Sequence, residues 1–211
     1  MLNVARVLVL APHTDDGELG CGGTLSKLIE QGATVHYVAF SICEESVPQG
    51  FPKDILATEV KNSSQTLGID PGHLIIHRYP VRHFPQYRQD ILQNLIQIRR
   101  EIEPDLIFTP SPDDIHQDHQ IVCQEGLRAF KRRTVLGYEL PWNNLNFTAS
   151  ALVHLEERHI ERKTAALNCY ESQRHRNYWS ENMVTSLARV RGVQAGVDYA
   201  EAFHVMRLVI E

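Results

Sequence analysis

Residues 4–41, VARVLVLAPHTDDGELGCGGTLSKLIEQGATVHYVAFS, determine the expected fold of this 211-residue chain. The segment 4–12 is apolar and rich in Val and Leu, a composition typical of a buried strand. A helical pattern follows over Glu18–Gln31, Gly32 stands where a C-cap glycine is expected, and 33–41 has the pattern of a second strand. The order strand, helix, strand predicts two parallel strands joined by a crossover helix.

The same alternation continues through the rest of the chain. Helices are predicted over about Asp54–Leu67, over Tyr87–Glu103 and after His119, and strands over HLIIHRY (73–79), DLIFTP (105–110) and TVLGYEL (134–140). Beyond Trp142 the pattern predicts a strand near Ala149–His154, helices over about Glu156–Cys169 and Asn182–Val190, and a last strand, AFHVMRLVI (202–210). We therefore expect an α/β fold, a three-layer Rossmann-like sandwich with a mostly parallel sheet.

Length and composition favour a single domain over residues 1–211, with 43% hydrophobic residues to form its core. The net charge of -5, without a long block of one sign, argues against nucleic-acid binding. We find neither signal-peptide features nor an apolar run of roughly 20 residues, so a cytoplasmic protein without a transmembrane segment is expected. The four cysteines show no CxxC spacing, which predicts reduced cysteines in or near the core.

Two clusters of residue types that bind metals follow two of the predicted strands. HTDDGE (13–18) follows the first strand, and DDIHQDH (113–119) follows DLIFTP. Ligands bind at the carboxyl ends of the strands in open parallel sheets. Imidazole and carboxylate suit zinc or a similar first-row divalent ion, and a catalytic zinc site usually has three protein ligands and one open position. Each cluster contains a pair of such residues three positions apart: His13 and Asp16 in the first, His116 and His119 in the second. Spacing alone therefore leaves the choice of ligands open.

Each cluster also has a purely structural interpretation. Asp15, Asp16 and Glu18 stand at a helix start, where they can act as capping acids. The coincidence of two clusters at two strand ends nevertheless favours a metal site. In LGCGGTL (19–25), GxGxxG is absent and no GK[ST] follows, so its glycines predict close backbone approach instead of a nucleotide-binding loop.

The pair PHTDDGELGCGGTL (12–25) and HQDH (116–119) resembles the motifs of the LmbE/PIG-L family of zinc-dependent N-acetylglucosamine deacetylases. Similarity extends over nearly the whole chain, through EVKNSSQTLGI (59–69), PDLIFTP (104–110), KTAALNCYESQ (163–173) and YAEAF (199–203). The chain departs from the family pattern at Thr14 and Gly17, with Glu18 supplying the acid of a PHxDDxE variant. Lys53 and Tyr170 also stand where the family often has Arg and His. These departures concern substrate contacts more than the chemistry.

The resemblance implies a zinc site whose ligands are His13, Asp16 and His119, although Fe²⁺ could replace zinc there. It implies Asp15 as the general base, His116 as a second catalytic histidine, and Asp118 as the carboxylate that keeps His116 cationic. His116 would either stabilise the oxyanion or protonate the leaving nitrogen. The implied reaction is hydrolysis of the acetamide of an N-acetylglucosamine-type sugar or its conjugate, and the implied assembly is a homo-oligomer.

Other functions remain compatible with the same residues. A metal-dependent hydrolase could act on another small amide or on a phosphoester, and enzymes of the latter kind often use two metals with additional carboxylates such as Asp113 or Asp114. A noncatalytic sugar-binding module could keep a vestigial metal site. For substrate binding we favour Arg82, because a guanidinium can hold sugar hydroxyls or an anionic group.

Overall fold

The structure is a computed structural model that describes residues 4–210. Within that range, one sheet has the strand order β3-β2-β1-β4-β5-β7-β6. The strands are β1 (Arg6–Ala11), β2 (Thr34–Ala39), β3 (Leu74–Ile76), β4 (Leu106–Pro110), β5 (Thr134–Tyr138), β6 (Ala151–Leu155) and β7 (Tyr199–Arg207). The helices are α1 (Asp16–Glu30), α2 (Ile55–Leu67), α3 (Arg88–Ile102), α4 (Gln117–Ala129), α5 (Glu157–Leu167) and α6 (Glu181–Ala195).

The sheet is mostly parallel, so the predicted fold class is confirmed. Strands β3, β2, β1, β4 and β5 pair in parallel, whereas β7 runs antiparallel to both β5 and β6. The last strand was predicted over 202–210 but spans Tyr199–Arg207, because its pairing with Ala151–Leu155 extends its start to Tyr199. Strand β3 is shorter than predicted, since it pairs only with β2 at an edge of the sheet.

Helices cover both faces of the sheet, as the three-layer prediction requires. Along β1, Val7 and Val9 belong to one core cluster, which includes side chains of α1, α2 and α5. Leu8 and Leu10 belong to the other cluster, which includes side chains of α3 and α4. A strand buried on both faces has no polar side, which explains the uninterrupted apolar run of β1. None of the helices in the described part of the chain is long and apolar enough to cross a bilayer.

Helix α1 is interrupted at Cys21, whose φ of -145° is not helical. The carboxylate of Glu201, on β7, accepts hydrogen bonds from the backbone N–H groups of Gly23 and Thr24, at 3.0 and 2.7 Å. Lys163 donates to the Leu19 carbonyl oxygen and to Glu201, both at 2.7 Å. Backbone groups freed by the interruption are thus satisfied by a buried ion pair. This arrangement holds the first turn of α1, which carries Asp16, in a fixed position.

The glycines of LGCGGTL allow the close packing that the sequence predicted. A Cβ atom on Gly20 would lie 2.3 Å from the Tyr138 ring, and one on Gly23 would lie 2.6 Å from Leu155. These distances are below van der Waals contact, so only glycine fits between α1 and the sheet. The four cysteines form no disulfide, and all but Cys169 are buried.

Candidate metal centre and active site

The two metal-type clusters meet at the carboxyl ends of the central strands β1 and β4. β1 and β4 are parallel neighbours, so the loops that follow them leave the sheet on the same side. His13 and Asp16 follow β1, whereas His116 and His119 follow β4 at the start of α4. Residues from distant parts of the chain therefore share one site, as the rule for ligand sites in open sheets predicts.

Three donor atoms form a nearly equilateral triangle. Asp16 Oδ2 lies 3.2 Å from His13 Nδ1 and 3.2 Å from His119 Nε2, and these two nitrogens are 3.1 Å apart. In a tetrahedral zinc site with bond lengths of about 2.0–2.2 Å, neighbouring ligand atoms are separated by roughly 3.3–3.6 Å. The observed triangle is close to this size, so the three donor atoms fit one metal ion with a fourth position open.

Buried carboxylates orient the two histidines of this triangle. Asp114 Oδ2 lies 2.7 Å from His119 Nδ1, and Asp118 Oδ2 lies 3.2 Å from His13 Nε2. Both carboxylates are at most 1% exposed. In metal sites the second nitrogen of a ligating histidine usually donates to such a carboxylate, which fixes the tautomer and directs the free nitrogen at the metal. From the sequence, Asp114 was considered as an additional carboxylate for a second metal, and its contact with His119 was not predicted.

His116 lies close enough to be considered as an alternative ligand. Donor atoms of His13, His116 and His119 lie within 4.8 Å of one another, and this group could hold a metal. Its Nδ1, however, accepts a hydrogen bond from the Asp118 backbone N–H at 3.2 Å, which makes His116 the N-cap of α4. Within residues 4–210, no carboxylate contacts His116 in the way that Asp114 and Asp118 contact the other two histidines.

The position of Asp118 differs from the predicted pairing with His116. Its carboxylate contacts His13 and accepts the backbone N–H groups of Arg82 and Phe84, at 2.6 and 3.2 Å, because the turn into α4 directs the side chain toward these groups. Burial and the neighbouring His13 and His119 lower the pKa of His116 to about 4. His116 is therefore neutral at pH 7. Because its Nδ1 accepts a hydrogen bond, its proton resides on Nε2.

The acidic residues at the start of α1 do not cap that helix. Asp15 occupies the N-cap position but makes no side-chain capping hydrogen bond. Instead, its side chain lines the cavity described below. Burial and the negative charge of Asp16 raise the pKa of Asp15 to about 6. The carboxyl group of Asp15 is thus free for proton transfer near neutral pH.

Glu18 belongs to a buried hydrogen-bond network that holds the HTDDGE segment (13–18) in place. It is buried and accepts hydrogen bonds from Ser63 at 2.6 Å, from Tyr170 at 3.0 Å and, at very short range, from Tyr37. The two tyrosine hydroxyl oxygens also lie 2.9 and 2.6 Å from the Thr14 carbonyl oxygen, so each hydroxyl proton is shared between Glu18 and that carbonyl. Tyr170, a departure from the family pattern, therefore has a structural role here.

A cavity of about 390 Å³ opens onto the metal-type residues. Arg82, which the sequence favoured for substrate binding, lines this cavity and has a left-handed backbone with φ of 70°. Several further lining residues were not predicted from the sequence; among them, on other loops, are Cys43, Trp142, Arg176 and Tyr178. No motif marks these positions, and only the folded chain brings them to the cavity.

Metal affinity should rise steeply with pH. Burial lowers the pKa of His13, but Asp16 and Asp118 outweigh it and raise that pKa to about 9. The same balance, with Asp16 and Asp114, raises the pKa of His119 to about 10. Both rings hold an extra proton at neutral pH and must lose it to ligate, so binding should release about two protons.

We therefore expect the apparent affinity for zinc to increase by up to about 100-fold per pH unit between pH 6 and 8. Competition with a chromophoric chelator at several pH values measures this dependence. The Asp114→Asn variant provides a comparison, because it removes one of the charges that favour the protonated His119. An affinity independent of pH would contradict the assignment of these histidines as ligands.

Comparison with known proteins identifies a family for this chain. The sequence profile of the family described as "PIG-L: GlcNAc-PI de-N-acetylase" matches residues 8–130, which include both clusters. Diacetylchitobiose deacetylase from Thermococcus kodakarensis is 25% identical, with 94% of this chain and 82% of that protein covered.

Two solved structures show the same fold. N,N'-diacetylchitobiose deacetylase from Pyrococcus horikoshii superposes with a TM-score of 0.81 at 22% identity, covering 97% of this chain and 84% of that one. GalB, the 4-carboxy-2-hydroxymuconate hydratase from Pseudomonas putida KT2440, superposes with a TM-score of 0.79 at 20% identity, covering 98% of both chains. These two proteins are named for different reactions, so the fold alone does not decide the chemistry. The family match does decide membership: as the paired motifs predicted, this chain belongs to the PIG-L family.

Proposed function

We propose that this protein is a zinc-dependent deacetylase that hydrolyses the acetamide of an N-acetylglucosamine-type sugar or its conjugate, releasing acetate and a free amine. The triangle of His13 Nδ1, Asp16 Oδ2 and His119 Nε2, with an uncommitted Asp15 beside it, carries the proposal. The family match and the deacetylase relatives support the same reaction. Fe²⁺ could replace zinc, because the same ligand types suit both ions.

In this proposal His13, Asp16 and His119 hold the ion, and Asp114 and Asp118 orient the two histidines. When bound, zinc acts as a Lewis acid that increases the acidity of water and polarises a carbonyl group. The remaining requirements of amide hydrolysis fall to the side chains of the chain itself. They are a base for the water, a donor to the developing oxyanion and a proton for the leaving nitrogen.

Asp15 is the proposed proton carrier. It accepts the proton of the water whose oxygen attacks the acetyl carbon, and it returns that proton to the nitrogen as the C–N bond breaks. A pKa of about 6 suits both steps, because the group is ionised at neutral pH yet basic enough to be protonated transiently. The products are acetate and the free amine.

His116 is the proposed oxyanion donor. The sequence left open whether it stabilises the oxyanion or protonates the leaving nitrogen. Its lowered pKa and its Nδ1 acceptor contact favour a neutral ring with a proton on Nε2, which is a hydrogen-bond donor and not a strong acid. Donation from Nε2–H to the carbonyl oxygen strengthens as negative charge develops there.

Phosphoester hydrolysis with two metals has less support. It would require further carboxylates directed at the site. Asp114 already contacts His119 Nδ1 and accepts the His116 backbone N–H, and Asp113 is exposed. We therefore expect one metal ion per chain.

Acetate release from N-acetylated sugars tests the proposed function. Zinc-loaded protein should release acetate and an equal amount of amine from at least one N-acetylglucosamine derivative. Treatment with a chelator should remove the activity, and added zinc should restore it. Fully metal-loaded protein that releases no acetate from a broad panel of such sugars would refute the proposal.

A further inference from the structure

A buried carboxylate holds one wall of the cavity that opens onto the metal-type residues. Glu59, on α2, is 4% exposed and accepts hydrogen bonds from the Ser172 backbone N–H and hydroxyl, at 2.9 and 2.6 Å. The Ser172 hydroxyl in turn accepts from Gln173 Nε2 at 2.9 Å. The segment that follows α5 is therefore held against the cavity by specific hydrogen bonds.

Arg176 is the charged residue that this anchored segment contributes to the cavity. Its Nε donates to Gln173 Oε1 at 3.3 Å, and its backbone N–H donates to the Gln173 carbonyl oxygen at 3.0 Å. Among residues 4–210, neither Nη group of Arg176 has a hydrogen-bond partner and no carboxylate lies within 4.0 Å of it. The guanidinium is therefore positioned by a neutral neighbour while its two terminal nitrogens remain available.

Arg82, the residue favoured from the sequence, is engaged differently. Its Nη2 lies 3.4 Å from Glu45 Oε2, so its charge already has a partner on the protein. Within residues 4–210, Arg176 has no carboxylate within 4.0 Å, although its charge acts at longer range on Asp15 and opposes the rise in the pKa of that group. Arg176 is half-buried in the same cavity. A partly desolvated guanidinium with a free pair of N–H groups fits a planar or tetrahedral oxyanion, which it can bind through two parallel hydrogen bonds.

An aromatic surface lies next to this charge. Trp142 and Tyr178 stack with ring centroids 4.0 Å apart and an interplanar angle of 8°, and both line the cavity. Tyr178 follows Arg176 closely on the same segment. The wall therefore offers apolar surface for a sugar ring or a linker beside a site for a negative charge.

We propose that the substrate is an anionic conjugate of the amino sugar, carrying a carboxylate or a phosphate that Arg176 binds. This inference rests on the proposed deacetylase function and specifies its substrate class. Bidentate binding by Arg176 holds the anionic group of the substrate, while the acetamide lies at the metal-type residues. Arg176 is thus a specificity-determining residue. Its charge also opposes the rise in the pKa of Asp15, so its removal should change the turnover of every substrate to some extent, and the ratio of anionic to neutral turnover isolates its role in binding.

A panel of N-acetylated sugars that differ in the kind and the position of an anionic group tests this inference. Acetate release is measured for four compounds. The methyl glycoside of N-acetylglucosamine is neutral, N-acetylglucosamine 1-phosphate and N-acetylglucosamine 6-phosphate carry a phosphate, and N-acetylmuramic acid carries a carboxylate. Zinc-loaded wild-type protein should prefer one anionic substrate, with kcat/KM about 10- to 100-fold above the neutral glycoside. Comparison of the phosphates with the carboxylate identifies which anion is preferred.

Variants then assign the preference to one residue. Arg176→Gln should lower the ratio of anionic to neutral kcat/KM at least tenfold, mainly through KM. Arg176→Lys should recover part of this ratio, because lysine keeps the positive charge but lacks the two parallel N–H donors of the guanidinium. Arg174→Gln is the matched control on the same segment, since Arg174 is exposed and bonds the Asn168 carbonyl outside the cavity. Metal content and the thermal midpoint verify that each variant is folded.

The outcomes separate this inference from the proposed function. If no N-acetylated sugar yields acetate, the deacetylase proposal fails and this inference fails with it. If acetate is released but the neutral glycoside is used equally well, only the anionic substrate class is refuted. An unchanged ratio in folded Arg176→Gln would likewise refute the role of Arg176.

Discussion

His119→Ala should yield a folded protein that binds little zinc and releases no acetate. His119 Nε2 forms two sides of the donor triangle, at 3.2 Å from Asp16 Oδ2 and 3.1 Å from His13 Nδ1. Loss of one of three protein ligands should reduce metal affinity by more than the about 10- to 100-fold typical for loss of an outer-shell partner. Metal analysis after dialysis, together with an acetate assay, measures both effects.

His116→Ala is the matched control for that variant, since both residues lie in HQDH and both rings face the same cavity. His116 Nδ1 is engaged with the backbone, so its removal should leave one zinc ion per chain while kcat falls by about 10²- to 10³-fold, as for loss of an oxyanion donor. If His116→Ala lost its metal and His119→Ala kept it, the ligand assignment would be wrong.

Asp15→Asn should lower kcat by about 10²- to 10⁴-fold without loss of metal. Asparagine preserves the volume of the side chain but cannot accept the proton of the attacking water. Because Asp15 makes no side-chain capping hydrogen bond, the substitution should leave the start of α1 intact. The thermal midpoint at pH 7 should stay the same or rise, because burial and Asp16 disfavour the charged form of Asp15 and the substitution removes that charge. Initial rates, zinc content and thermal unfolding of the same preparation test these three expectations.

The neighbouring acidic loop supplies a control for Asp15→Asn. Asp113→Asn removes an exposed carboxylate near the other metal-type cluster and should change kcat less than about threefold. Near-normal turnover in metal-loaded Asp15→Asn would exclude Asp15 as the base. Loss of zinc in that variant would instead place Asp15 among the metal ligands.

Local patterns in the sequence were sufficient for the fold class and for the two halves of the site. The uninterrupted apolar run of β1 reflects burial on both faces, and the helical period of α1 reflects its packing on one face of the sheet. Element ends were less predictable. β7 takes its bounds from its pairing with β6, and strand pairing depends on residues distant in the chain.

Sequence patterns alone predicted that HTDDGE and DDIHQDH would meet at the carboxyl ends of the strands, because both follow parallel strands and such strands end together. The family resemblance further implied His119 over His116 as a ligand. How each side chain is held follows from the tertiary structure, which directs His119 Nε2 into the triangle and His116 Nδ1 to the backbone of α4, and which places Arg176 in the cavity. Spacing along a chain indicates which residues are near a site, whereas long-range hydrogen bonds and packing fix where each donor atom points.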